Sequence, residues 1–192
     1  MRYRRPLLAA ALLLSATTPS LADDRDDLIA AFSKAFAKGS FRAEMHTLVD
    51  GKPMSVRTDV QWPDRFHMRM PEMEVIILPQ GTWMNAAGVG QWMPVPMDMS
   101  EMIKGYSKQG MDKGLAALQD VSRTGSAEVA GCTSTLYRYR SAGEFLGTTH
   151  DSVAEAAICD ATGLPVRVVT EGKDPVTVMY DFETAIDIRP PG

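Results

Sequence analysis

Cysteine and histidine are scarce in this sequence of 192 residues, which contains two of the former and three of the latter. So few potential ligands argue against a structural zinc site, which takes four Cys or His side chains. The sequence has no G-x-S-x-G nucleophile elbow, no phosphate-binding loop and no dinucleotide fingerprint. It also lacks the basic excess typical of nucleic-acid binding, because 20 Lys and Arg face 24 Asp and Glu. We therefore predict neither an enzyme nor a nucleic-acid-binding protein, with no catalytic residue, resident metal or cofactor.

The first 22 residues are typical of a secretory signal peptide. Three arginines precede an apolar run over residues 7–14, and Ser20-Leu21-Ala22 has the small residues of a cleavage site. The apolar run is shorter than the roughly 20 residues that cross a membrane, and no second run of spanning length follows. We expect an exported periplasmic protein, soluble after cleavage, in which residues 23–192 form one domain.

Export would place the two cysteines in an oxidising compartment, where such pairs usually join. Cys132 begins one strand-like run, and Cys159 ends another. A hairpin that turns around residues 141–150 brings both cysteines to its open end. Redox chemistry is disfavoured because the sequence contains no C-x-x-C motif. We predict a structural disulfide between Cys132 and Cys159.

The order of elements predicts an α+β domain with an antiparallel sheet. Residues 23–38 have the spacing of an amphipathic helix, and period-two alternation follows over residues 41–49, 54–62 and 66–70. Residues 98–118 return to helical spacing, interrupted by three glycines, which predicts two short helices. The last third of the sequence is again strand-like, so the helical region lies between two sets of antiparallel strands.

Several segments match the pattern of a known family. Ser40-Phe41-Arg42-Ala43 is an aromatic-initiated strand, and Trp62-Pro63-Asp64-Arg65-Phe66 is an aromatic-Pro-x-x-Phe break. Residues 75–83 give a strand, a glycine and an aromatic, and residues 160–165 resemble a turn before a late strand. In these features the chain resembles the LolA-like proteins, which include the periplasmic carriers of outer-membrane lipoproteins. The resemblance implies an incomplete antiparallel half-barrel, closed by helices, with an apolar cavity.

One departure from the family pattern concerns Trp62. The lipoprotein carriers have an arginine immediately before the proline of the break, and that arginine is tied to opening and release. Because Trp62 occupies the position here, the resemblance implies a divergent member that is not itself a lipoprotein carrier.

Methionine is abundant, at 13 residues. Its flexible, polarizable side chain is common on adaptable binding surfaces. Strand parity and helical spacing place several methionines on apolar faces, and two tryptophans flank a glycine-rich turn. The predicted ligand-binding residues are Phe41, Met45, Met54, Val56, Met68, Met70, Trp83, Trp92, Met99, Met102, Ile103 and Tyr106.

Three functional hypotheses remain open. The first is binding or carriage of a hydrophobic ligand (a lipid, acyl chain or lipoprotein), with an acylated protein as partner and transient contact with a membrane or membrane protein. The second is a Cu(I)-binding protein, because thioethers suit Cu(I) and residues 67–73 and 97–99 space methionines closely. The third is an interaction module whose groove accepts a protein segment. Ordinary core packing also explains methionines on apolar faces.

Overall fold

The computed structural model describes residues 21–86, 89–95, 108–145, 148–172 and 174–192. In this part of the chain there are two helices, α1 (Leu21–Ala37) and α2 (Lys108–Ala116). Neither described helix has the length and apolarity needed to cross a membrane. The described strands are β1 (Ser40–Val49), β2 (Lys52–Gln61), β3 (Arg65–Met70), β4 (Met73–Leu78), β5 (Gly81–Ala86), β6 (Met93–Val95), β7 (Leu118–Val129), β8 (Cys132–Phe145), β9 (Thr148–Cys159), β10 (Pro165–Thr170) and β11 (Thr177–Asp181).

These strands form one antiparallel sheet in the order β6-β5-β4-β3-β2-β1-β11-β10-β9-β8-β7. Period-two alternation and tight turns account for the meander. Asp50 and Gly51, for example, both have the positive φ angles (52° and 74°) that a two-residue hairpin turn requires. Strands β6 and β7 lie at opposite edges of the sheet, so it stays open as a half-barrel. The predicted α+β fold is confirmed.

The predicted helical region over residues 98–118 is described only at its end, where α2 lies. Leu118, predicted on the helical stripe, instead begins β7, and its buried side chain joins the sheet core. Helical spacing alone does not reveal this, because an apolar residue at the end of a helical pattern also suits the start of a strand. Residues 1–20 of the predicted signal peptide lie outside the described part of the chain. So do four predicted site residues: Met99, Met102, Ile103 and Tyr106.

Helix α1 packs on one face of the sheet, here called the helix face; the opposite face is the outer face. Leu28, Ala31 and Ala35 of α1 are buried, at the spacing of one helical stripe. Leu28 and Ala31 form a core with residues of β7–β10. The sheet side of that core is Leu118, Val121, Tyr137, Tyr139, Ala154, Ala156, Ile158 and Val168.

Polar contacts attach α1 to the edge strand β7. The buried carboxylate of Asp24 accepts a hydrogen bond from the backbone N of Arg123 at 2.8 Å. Arg25 Nε donates to the carbonyl oxygen of Leu118 at 3.1 Å. The pairing of β7 with β8 also contains two register irregularities. Bulges and a covering helix make an edge strand a poor template for further pairing.

The two cysteines form a disulfide, as predicted. The Cα atoms of Cys132 and Cys159 lie 5.7 Å apart, at the open end of the β8–β9 hairpin. Cys159 pairs in register with Ser134, so the disulfide runs diagonally across the two strands. It therefore holds the start of β8 to the end of β9.

Candidate functional site

The candidate site is the helix face of strands β1–β5, where residues paired in register project to the same side. On this face Met45 of β1 pairs with Val56 of β2. Met73 of β4 pairs with Met70 of β3 and with Ala86 of β5. A neighbouring row crosses six strands: Ala43, Thr58, Met68, Val75, Met84 and Met93. Most of these side chains are half-buried. The face is therefore apolar and only partly covered.

Register and alternation place six of the predicted site residues together on this face. They are Phe41, Met45, Met54, Val56, Met68 and Met70. Their role in ligand binding stays a prediction. Sequence reasoning missed further apolar residues of the same face, among them Met73, Val75, Met84 and Met93. These residues are identified by the register in which β4, β5 and β6 pair, counted outward from Met68 of β3.

Trp83 and Trp92 lie on the outer face, so the prediction that they line the same surface as Met68 is wrong. Trp83 pairs in register with Ile76. Both tryptophans pack against a cluster formed by Ile76, Leu78 and Ile188. The physical reason is that β4 is apolar on both faces, so its sequence does not show which residues point toward the helix. The buried Thr82, rather than Trp83, pairs with Ile77 on the helix face.

Aromatic side chains line the end of the helix face nearest the end of α1. Phe36 of α1 meets Trp62 edge-on, with ring centroids 5.7 Å apart. Phe41 lies 5.6 Å from Phe182, which stacks with Tyr180 at 6.2 Å. Trp62 and Phe41 also pack against a small buried core of Val60, Phe66 and Ile77. This end of the face is therefore deeper and better packed than the methionine rows.

The opposite end of the sheet carries exposed apolar side chains, at the turns β1–β2, β3–β4 and β5–β6. The exposed fractions are 40% for Leu48, 46% for Val49, 36% for Met73, 56% for Val89 and 42% for Met93. Two open cavities lie here, of about 420 Å³ beside the β1–β2 hairpin and about 170 Å³ beside β3 and β4. The first falls in the range of small-molecule pockets, roughly 300–1,000 Å³. The helix face is thus accessible from this end.

Register places one ionisable side chain of β1–β5 on the helix face, that of Lys52, which is exposed beside the β1–β2 turn. The rest of this surface is uncharged and can remove apolar groups of a ligand from water. His67 and Met68, neighbours in the motif considered for Cu(I), project to opposite faces because they are consecutive strand residues. In the described part of the chain, no group of three or more His, Cys, Asp or Glu is arranged to hold a metal ion.

A charged network occupies the outer face of β1–β4. The buried carboxylate of Asp59 accepts hydrogen bonds from Arg42 Nε at 2.6 Å and from Arg69 Nη1 at 2.8 Å. Arg69 Nη2 also donates to His67 Nδ1 at 2.8 Å, and His67 Nε2 lies 2.9 Å from Glu74 Oε2. Burial raises the pKa of Asp59, but the hydrogen bonds from the two arginines outweigh it and hold that pKa below its ordinary value. His67 is therefore half-buried and hydrogen-bonded at both ring nitrogens.

Comparison with known proteins supports the fold. No protein-family model matches the sequence, and no curated protein matches it. Among solved structures, lipoprotein LppX of Mycobacterium tuberculosis matches with a TM-score of 0.66 and 11% identity, over 88% of this chain and 100% of that one. LprF of Mycobacterium bovis matches with a TM-score of 0.60 and 12% identity, over 88% and 97%.

A LolA superfamily protein of Nitrosomonas europaea also matches, with a TM-score of 0.33 and 7% identity over 91% of this chain and 96% of that one. At such identities a likeness shows the fold alone. The likeness to LppX and LprF shows that the chain shares their fold.

Proposed function

We propose that this protein binds and carries a hydrophobic ligand, the acyl chain of a lipid or of an acylated protein, and catalyses no reaction. The observation that carries the proposal is the apolar, methionine-rich helix face of β1–β5, whose one charged side chain, Lys52, lies at its exposed end. This face stays half-buried, whereas the helix face of β7–β10 is closed by α1. Flexible methionine side chains can pack against one another when the face is empty and rearrange around a chain when it is filled.

Burial of one acyl chain would be sufficient for useful affinity. Each buried methylene contributes about 0.8 kcal/mol, so an acyl chain that buries about 14 methylenes gains roughly 11 kcal/mol. Loss of translational and conformational freedom offsets about 4 kcal/mol or more of this gain. The remainder, roughly 7 kcal/mol, corresponds to a dissociation constant near 10 µM.

The proposal places the protein outside the cytoplasm, in the periplasm. The leader over residues 1–22 and the Cys132–Cys159 disulfide both favour an oxidising compartment. A carrier of lipid must load and release it, so the protein would make transient contact with a membrane or a membrane protein. Because Trp62 replaces the carriers' arginine, we propose a divergent role other than lipoprotein delivery.

The test is binding of a fluorescent fatty-acyl probe to protein purified without detergent. We expect micromolar affinity for the wild type and at least a tenfold loss for Met68→Asp, since the new carboxylate would be left unpaired on an apolar face. Ser126→Asp is the matched control, because Ser126 is exposed on β7, at the edge of the sheet farthest from β6 and outside both cavities. It should leave the affinity unchanged. Circular dichroism checks that both variants fold.

Native mass spectrometry of the same preparation separates the alternatives. Retained lipid together with probe binding supports the proposal. If the wild type holds no lipid and binds no acyl probe at tens of micromolar, the proposal is wrong. Stoichiometric uptake of Cu(I) would then favour the metal hypothesis, and uptake of neither ligand would favour the interaction module.

A further inference from the structure

Trp62 lies at the deep end of the helix face, between β2 and the start of β3. Its backbone N donates to the carbonyl oxygen of Gly39 at 2.7 Å, which fixes the end of β2 against the turn between α1 and β1. Its indole ring packs against the buried core of Val60, Phe66 and Ile77. Phe36 of α1 covers it edge-on at 5.7 Å. The backbone and the ring are therefore both held in place.

The indole N–H of Trp62 is a hydrogen-bond donor without an acceptor. Nε1 is buried, and no acceptor in the described part of the chain bonds to it. Buried donors in folded proteins nearly always have a partner, because an unmade hydrogen bond leaves the desolvation of the group uncompensated. This unpaired N–H lies at the end of a largely apolar surface. A molecule bound to that surface could supply the missing acceptor oxygen.

We propose that Trp62 Nε1–H donates a hydrogen bond to the carbonyl oxygen of an acyl ligand on the helix face, and that this selects esterified or amidated chains over free fatty acids. The inference rests on the proposed function and names the ligand class of that same site. A neutral carbonyl oxygen matches the single neutral donor. An ionised carboxylate at Trp62 would have no cation to pair with, because Lys52, the one ionisable side chain that β1–β5 place on this face, lies at the opposite end of β2.

The geometry also orients the chain. Met54, beside the open cavity, and Trp62 lie eight residues apart along the same side of β2. At about 3.3 Å per residue this distance is roughly 26 Å, enough for an extended long acyl chain. With its carbonyl at Trp62, the chain would run along the methionine rows, and its tail would point toward the exposed end of the sheet.

Three fluorescent probes test the inference: the methyl ester of cis-parinaric acid, the free acid, and N-phenylnaphthylamine, which has no carbonyl. We expect the wild type to bind the ester more tightly than the ionised acid at pH 8. Trp62→Phe should weaken ester binding about three- to tenfold, the worth of one hydrogen bond, and change N-phenylnaphthylamine binding less than twofold. Trp83→Phe, on the outer face, is the matched control and should leave both affinities unchanged.

A second measurement does not depend on the stability of Trp62→Phe. The protein has three tryptophans, so replacing both Trp83 and Trp92 with phenylalanine leaves Trp62 as the only indole. Ultraviolet resonance Raman spectra then report hydrogen bonding at its Nε1. The indole N–H band should shift when a non-fluorescent acyl methyl ester binds, and should not shift with N-phenylnaphthylamine.

The outcomes separate this inference from the proposed function. If the wild type binds N-phenylnaphthylamine and the ester, but Trp62→Phe weakens neither, the role of Trp62 is wrong and the apolar site stands. An unshifted Raman band in the presence of bound ester overturns the inference in the same way. If the wild type binds none of the probes, the proposed function fails and the inference fails with it.

Discussion

Replacing Asp59 with alanine should destabilise the protein more than the loss of any surface ion pair. The carboxylate is buried on the outer face and accepts hydrogen bonds from two arginines on neighbouring strands. Arg42 binds it through both Nε (2.6 Å) and Nη2 (3.2 Å), and Arg69 binds it through Nη1 (2.8 Å). The substitution therefore removes three charged hydrogen bonds and leaves two cations facing each other across β2.

The magnitude follows from how much water reaches the two arginines. Removal of one partner from a buried ion pair costs about 3–5 kcal/mol. The side chains of Arg42 and Arg69 are 26% and 34% exposed, so water replaces part of the lost interaction. We expect a loss of about 2–3 kcal/mol in the free energy of unfolding. With a urea m-value of about 2 kcal/mol/M, the unfolding midpoint should fall by roughly 1–1.5 M.

Urea unfolding followed by circular dichroism at pH 7 measures this loss. The control is Glu44→Ala, which removes an ion pair of similar length on the same face: Arg57 Nε lies 2.8 Å from Glu44 Oε1. That pair is exposed on both sides, so its loss should cost at most about 0.5 kcal/mol. Equal effects of the two substitutions would refute the claim that burial decides the strength of the Asp59 network.

Acidification gives an independent check on the same carboxylate. The pKa of Asp59 is held below its ordinary value of 3.8. The stability contributed by its ionised form is therefore fully present above that value and is lost as the pH falls through the lower folded pKa. The stability difference between wild type and Asp59→Ala should shrink below about pH 4. A difference that stays constant down to pH 2 would contradict the lowered pKa.

Two further predictions concern covalent and alkaline stability. Replacing Cys132 and Cys159 with serine should lower the free energy of unfolding by about 3.5 kcal/mol, the loop-entropy contribution for a separation of 27 residues. Urea unfolding measures this change, and a decrease of less than about 1 kcal/mol would contradict the prediction. Burial raises the pKa of Tyr139 to about 12, so its neutral form contributes stability that is complete below pH 10 and is lost as the pH rises toward 12. Tyr139→Phe should flatten this alkaline loss in thermal unfolding, whereas an unchanged profile would assign the loss to other groups.

Much of the helix face was predictable because β1–β3 alternate cleanly between apolar and polar residues. In β2, Met54, Val56 and Val60 are separated by polar side chains, so only one register buries them. In β4 the run Val75-Ile76-Ile77-Leu78 is apolar on both sides. The sequence therefore does not show which residues of the next strand, β5, point toward the helix face. That is why Trp83 was expected on the wrong face while Met84 was overlooked.

The other features that could not be predicted depend on contacts between residues far apart in the sequence. The outer face of β4 is apolar because Ile188, near the end of the chain, packs against Ile76 and Leu78. Similarly, Trp62 is packed against Phe36 and the core around Phe66, and its indole N–H is buried without a partner in the described part of the chain. Local periodicity carries no information about such contacts.

The pairing of β1 with β11 makes assembly of the sheet wait for its last strand. Arg42 and Asp181 are register partners 139 positions apart, whereas the strands of β1–β6 and of β7–β10 pair with sequence neighbours. Contacts of long sequence separation form slowly. Until β11 docks, β1 and β10 therefore present free edges that can pair with other chains. A chain cut before residue 177 should accordingly leave these two edges unpaired and aggregate.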